Sequence, residues 1–290
     1  MKNLFCFKAG AGVLLAASLL MFSCKKDSSG SGNNTNTSNT TGNTTGSTTS
    51  DYDVSSDTTI AYKLLWSDEF NGTSVDQTKW NFETGNLGVN NEKEYYQAAN
   101  AKVENGMLEI VAKKESVGGF PYTSARMNTM NKFSTTYGRI EARMVIPEGM
   151  GFWPAFWTLG ANIGSVNWPN CGEMDIMEHV NADSLIYGTM HWNGGSGHVQ
   201  YGNNLATSPA QFHVYAIEWD NKKIRWYIDS RVIQEGNIDQ NINNTGAFHL
   251  PFFIILNFAV AGDFPGQIVD ESKLPATFYI DYVRVYTRQK

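Results

Sequence analysis

Between residues 62 and 286 no 3.6-residue apolar period persists for three turns, so any helix there must be short. Short runs rich in β-branched and aromatic residues recur instead, at 62–66, 107–112, 137–146, 212–219, 223–229, 252–260 and 277–286. Clusters of Gly, Asn, Asp and Pro lie between them, as turns lie between strands. Trp219-Asp220-Asn221-Lys222 reads as a tight turn joining two of these runs into a hairpin. Many short strands without helical spacers predict an all-β domain, a two-sheet antiparallel sandwich rather than a parallel sheet. There is no internal repeat, and 290 residues suit one large β domain behind a leader and a tether.

Within this pattern one run carries chemistry, Gly172-Glu173-Met174-Asp175-Ile176-Met177-Glu178-His179. A strand alternates its faces, so Glu173 and Asp175 share a face and Glu178, five positions on, points away. One extra residue bulged out around Ile176-Met177 would bring Glu178 back beside them. Three acids on one surface repel each other, which a purely structural strand has no reason to accept. Crowded carboxyls acquire unequal pKa values, as acid/base work requires. Retaining glycosidic cleavage uses two carboxyls about 5–5.5 Å apart, one as nucleophile and one as acid/base. Glu178, at the apolar end of the run, is the candidate proton donor.

Aromatic residues flank the acids on both sides: Phe152, Trp153, Phe156, Trp157, Trp168, Tyr187 and Trp192. In an extended 152–157 segment both faces are aromatic, so one can be core while the other lines a groove. Aromatic faces stack on sugar rings and acids bind hydroxyls, so this neighbourhood suits a polysaccharide. The formal charge of −6, without basic clusters, argues against nucleic acid as a partner. Cys171, beside acids, is expected to be a packed side chain rather than a nucleophile.

The start of the chain reads as an address. Residues 1–23 combine Lys2 and Lys8 with a short apolar stretch, as a signal peptide does. The Met21-Phe22-Ser23-Cys24 sequence resembles a bacterial lipoprotein cleavage site, with Cys24 as the lipidated first residue. Residues 24–57 then form a Ser/Thr/Asn/Gly-rich flexible linker, and 58–290 the catalytic domain. The tether, roughly 30 residues, would reach on the order of 30 Å. The expectation is an exported protein, lipid-anchored at the bacterial outer membrane. Membrane contact is through the anchor only, and the chain is a monomer.

The acid run resembles the active-site motif of glycoside hydrolase family 16, in its bacterial laminarinase-like branch. Segments 122–129, 137–143, 153–157, 188–192 and 278–286 match that family in its usual order. The resemblance implies a β-jelly-roll sandwich with a concave substrate cleft. It implies Glu173 as nucleophile, Glu178 as acid/base and Asp175 as the residue assisting the nucleophile's protonation. Asn91, Arg126, Trp153, Trp157 and His191 fall where members of the family contact sugar, and Trp168 joins them from the aromatic cluster. No cofactor is expected for catalysis. A structural calcium, held by Glu69, the carbonyl of Gly106 and Asp281, is implied by the family, and oxygen-only ligands suit it. The implied activity is retaining endo-hydrolysis of β-1,3-glucan (laminarin). Mixed-linkage β-1,3-1,4-glucan, agar, carrageenan or a non-catalytic glucan-binding role are the alternatives. Phe264 and Ala261 depart from the family pattern at the cleft rim and bear on substrate preference.

Overall fold

The computed structural model describes residues 61–289. The signal, Cys24 and linker assignments lie outside the described residues. Two antiparallel sheets face each other. The larger has eight strands, ordered Arg231–Asn237, Lys223–Ile228, His213–Trp219, Gly138–Val145, Ala276–Arg288, Met107–Ala112 and Ala101–Glu104. Its eighth, Tyr62–Asp68, also pairs with Ala276–Arg288. The second sheet has seven strands, ordered His198–Ala206, Leu185–Asn193, Glu173–Glu178, Phe152–Gly160, Phe252–Val260, Arg126–Asn128 and Asn81–Phe82. This is the expected jelly-roll sandwich.

The alternation of side chains builds the core. Leu185–Asn193 buries every second residue, and Phe152, Phe156, Met174, Ile254, Leu256 and Phe258 point inward from the seven-stranded sheet. They meet Ile140, Met144, Ile217, Trp226, Phe278 and Ile280 from the opposite sheet in one continuous cluster. The central strand Phe252–Val260 is buried at every position. Its one polar residue, Asn257, therefore had to find a partner there.

The predicted hairpin forms, with the Asp220 carboxylate accepting from the backbone N–H of Lys222 at 2.8 Å and Lys223 at 3.0 Å. Among the described residues the one α-helix is a single turn, Ile163–Val166. Periodicity did not reveal the strands His198–Ala206 and Asn81–Phe82. The first is exposed at nearly every position, and its alternating Val199, Tyr201 and Leu205 are interrupted by Gly202, Asn203 and Asn204, which read as a turn.

Candidate active site

The strand Glu173–Glu178 lies between Phe152–Gly160 and Leu185–Asn193, near the middle of the seven-stranded sheet. Its register slips once. Asp175 pairs with Trp157, yet Met177 pairs with Phe156 and Glu178 with Ala155. Against Leu185–Asn193, Asp175 faces Thr189 and Glu178 faces Tyr187, so three steps on one strand answer two on the other. This is the expected bulge. Ile176 and Met177, adjacent in sequence, are both fully buried, and Glu178 returns to the outer face with Glu173 and Asp175. The chain enters the strand through Gly172 at φ +76°, where a Cβ would lie 3.0 Å from both Ala247 and Phe252. Glycine is required there.

Each outer acid receives an indole. Trp168 donates its Nε1–H to Glu173 Oε2 at 2.9 Å, and Trp153 donates to Glu178 Oε1 at 2.9 Å. Asp175, 3 % exposed, sits between them; its backbone carbonyl accepts from the Trp226 indole of the opposite sheet at 2.7 Å. His191 Nε2 stands 3.0 Å from Asp175 Oδ2. Donor and acceptor atoms of Glu173, Asp175 and His191 all lie within 4.8 Å of one another.

This packing makes ionisation costly. Burial, followed by the charge of Asp175, pushes Glu173 up to about 8, while His191 and the Trp168 indole pull it partly back. Asp175 is also held well above the carboxylate range, by burial first and then by Glu178. Burial raises Glu178 to about 7 against the opposing indole of Trp153. All three acids thus retain protons at pH values where free carboxylates have lost them. Cys171 is buried, and burial together with Glu173 pushes its thiol up to about 11, so it stays a neutral packed side chain, as expected.

The acids open into a groove with two adjoining lobes, about 340 and 700 Å³ in volume. Trp153, Trp168, Glu173, Glu178 and Asn90 line both. Arg126 and Trp157 line the first lobe, and His191 the second, so the structure brings five of the six expected sugar-contact residues together. Asn91 differs. Its side chain donates to Asp263 Oδ1 at 2.8 Å and ties two rim loops together, while the neighbouring Asn90 faces the groove. Adjacent loop residues point apart, and a match by position alone cannot say which of two asparagines turns inward.

Asn257 also faces the groove: it accepts from the Trp157 indole at 2.8 Å and is linked to Tyr96 at 3.3 Å. Its signal was present: a lone amide inside the apolar run Phe252–Val260. Gln200, Tyr201 and His198 reach the groove from the exposed edge strand His198–Ala206. His179 keeps out of the groove, with Nε2 at 2.9 Å from the Asp183 carbonyl.

The calcium set is brought to one region by register, because Asp68 pairs with Val283 and Leu108 with Ile280. However, Arg284 grips both oxygens of Glu69, at 3.0 and 2.8 Å, and Arg143 reaches Asp281 at 2.7 Å. Two guanidinium groups hold the carboxylates a cation would need. As arranged, these side chains do not fit a calcium ion.

A β-sandwich whose groove floor carries paired carboxyls between indoles defines a carbohydrate-active protein of the glycoside hydrolase type. Residues 88–284 match the family model described as glycosyl hydrolases family 16, and the chain belongs to that family. It is 41 % identical to a beta-glucanase of Rhodothermus marinus over 249 residues, 80 % of this chain and 87 % of that one. It is 43 % identical to the clotting factor G alpha subunit of Tachypleus tridentatus over 232 residues, 78 % of this chain. There the chain spans only 34 % of its relative's length. Among solved structures it resembles the catalytic domain of an endo-1,3-beta-glucanase (laminarinase) from Thermotoga petrophila RKU-1. That match has 42 % identity and a TM-score of 0.74, covering 80 % of this chain and 100 % of that one.

Proposed function

We propose that the protein is a retaining endo-hydrolase of β-1,3-glucan, of the laminarinase type. The observation that carries this is the bulged strand, which sets Glu173 and Glu178 on one face of the groove, each held by an indole. In this reading Glu173 attacks the anomeric carbon while Glu178 protonates the departing glycosidic oxygen. A covalent glycosyl-enzyme forms and the leaving sugar departs. Glu178, now ionised, takes a proton from water, which displaces Glu173 with net retention. Glu173 must attack as a carboxylate although its environment favours the acid. Asp175 solves this by taking over the proton between them and returning it as a hydrogen bond to the nucleophile.

Trp153, Trp157 and Trp168 supply ring faces for sugars, and Asn90 and Asn257 supply amides. The arginine lining the groove, Arg126, lies 2.9 Å from Glu83 and stacks over Trp157 at 4.8 Å, so its charge is already balanced by a carboxylate of the protein. Neutral glucan is favoured over carrageenan on this ground. The names of the beta-glucanase and laminarinase relatives above point the same way.

Reducing-end assays against laminarin, lichenan, agarose and carrageenan are expected to show highest kcat/KM on laminarin, with β-anomeric products by early-time NMR. Preference for lichenan or agarose would reassign the substrate. Initial α-products would remove the two-step mechanism, and binding without cleavage would make the protein a glucan-binding module.

The lipid anchor at Cys24, the linker 24–57 and an outer-membrane location complete the proposal, supported by the composition of residues 1–57. Because the Glu69 and Asp281 carboxylates are committed to arginines, a chelator is expected to leave the Tm unchanged. A drop reversed by added Ca²⁺ would show that those pairs yield to the ion.

A further inference from the structure

Beside Asp175, along the groove wall, the structure holds a line of side chains that the two-carboxylate mechanism does not use. His191 Nδ1 lies 2.9 Å from Nε2 of His198 on the neighbouring edge strand. The two imidazoles stack, with centroids 5.2 Å apart and planes 18° apart, and His198 in turn packs on Trp168 at 4.6 Å. Trp168 is the residue whose indole holds Glu173. His198 therefore meets the acid cluster twice, through His191 to Asp175 and through Trp168 to Glu173.

Two nitrogens 2.9 Å apart need one proton between them, and its position decides the tautomer of His191. If His198 Nε2–H donates, His191 Nδ1 accepts and His191 Nε2 carries a proton beside Asp175 Oδ2, 3.0 Å away but outside hydrogen-bond alignment. If the donation reverses, His191 Nε2 presents a lone pair to that oxygen. The lone pair repels an ionised Asp175 and favours a proton on Oδ2, away from Glu173. The first arrangement leaves the shared proton between Asp175 and Glu173, where the proposed mechanism needs it.

We propose that His198 is a positioning residue: by donating to His191 it fixes the tautomer that keeps the Asp175–Glu173 proton on the nucleophile's side. This rests on the functional reading above. The groups facing His191 are Asp175, Glu173 and Glu178 from the strand Glu173–Glu178 and His198 from the edge strand. Trp168 packs from the preceding loop and brings no titratable group. Burial and the neighbouring His191 hold His198 below the ordinary histidine range, consistent with a neutral donor.

Two variants separate the hydrogen bond from the ring contact. His198→Phe keeps an aromatic face for Trp168 but cannot donate. His198→Gln can place its Nε2–H near the original nitrogen. The first readout is the ¹⁵N imidazole spectrum, tractable with five histidines in the chain. His191 is expected as the Nε2–H tautomer in the wild type and in His198→Gln, and as a mixture in His198→Phe. The second is the pH profile on laminarin. His198→Phe should lose about tenfold in kcat with KM within about twofold and a displaced acid limb, and His198→Gln should recover most of the loss. Wild-type tautomer and pH profile in His198→Phe would overturn the inference. A tautomer shift in a protein that cleaves none of the glucans would instead overturn the functional reading and leave the His198–His191 arrangement standing.

Discussion

Glu173→Ala should lower kcat on laminarin on the order of 10⁵-fold, with KM nearly unchanged, because the interaction removed exists only along the reaction coordinate. The variant also leaves a space where the carboxylate stood. Azide entering that space can attack the anomeric carbon from the same face, with no second displacement to follow. Azide should restore measurable cleavage, and the product should be the α-glycosyl azide. Rescue with a β-product, or a loss of only a few-fold, would place the nucleophile elsewhere.

Glu178→Gln should behave differently with different leaving groups. On laminarin, whose departing sugar needs a proton, the loss should be roughly 10³-fold. On a dinitrophenyl β-glucoside, whose leaving group needs none, the first step should survive. The second step then lacks its base, and a glycosyl-enzyme should accumulate in the intact mass spectrum. The pH profile supplies the sign. Glu178, pushed up to about 7 by burial, donates only while protonated, so wild-type activity should fall as pH rises through that value. Glu178→Gln should lose that alkaline limb. An unchanged limb, or equal losses on both substrates, would take the proton-donor role from Glu178.

How much of this could be read in advance depended on whether a residue's role is local. The sandwich followed from runs such as Phe252–Val260, which the structure reproduces with the same bounds. The bulge followed from charge alone, because three acids spaced two and three apart share a face only if one residue slips. What sequence could not supply was contact between distant segments. Nothing in the local pattern says that the indoles of Trp153 and Trp168 hold Glu178 and Glu173, since a tryptophan's ring and its N–H can serve different neighbours. The edge strand His198–Ala206 was hidden for another reason. It buries little, and Gly202 with two asparagines breaks the alternation of Val199, Tyr201 and Leu205, yet it forms one wall of the groove.

The buried pair Ile176 and Met177 has a consequence for how such a site can change over generations. Losing one residue from a core strand ordinarily inverts every side chain beyond it, carrying polar groups inward and apolar ones into water. Here the phase error is already present and already absorbed. Loss of the single codon for Met177 would leave Glu-Met-Asp-Ile-Glu, a regular alternation with all three acids still facing outward and everything from Glu178 onward unchanged in orientation. The penalty would be a methionine-sized void beneath the sheet, on the order of 2–5 kcal/mol, which neighbouring residues could later fill. Two strand geometries are thus one deletion apart without an inactive inversion between them. A lineage could cross from one to the other while its catalytic acids stayed in place.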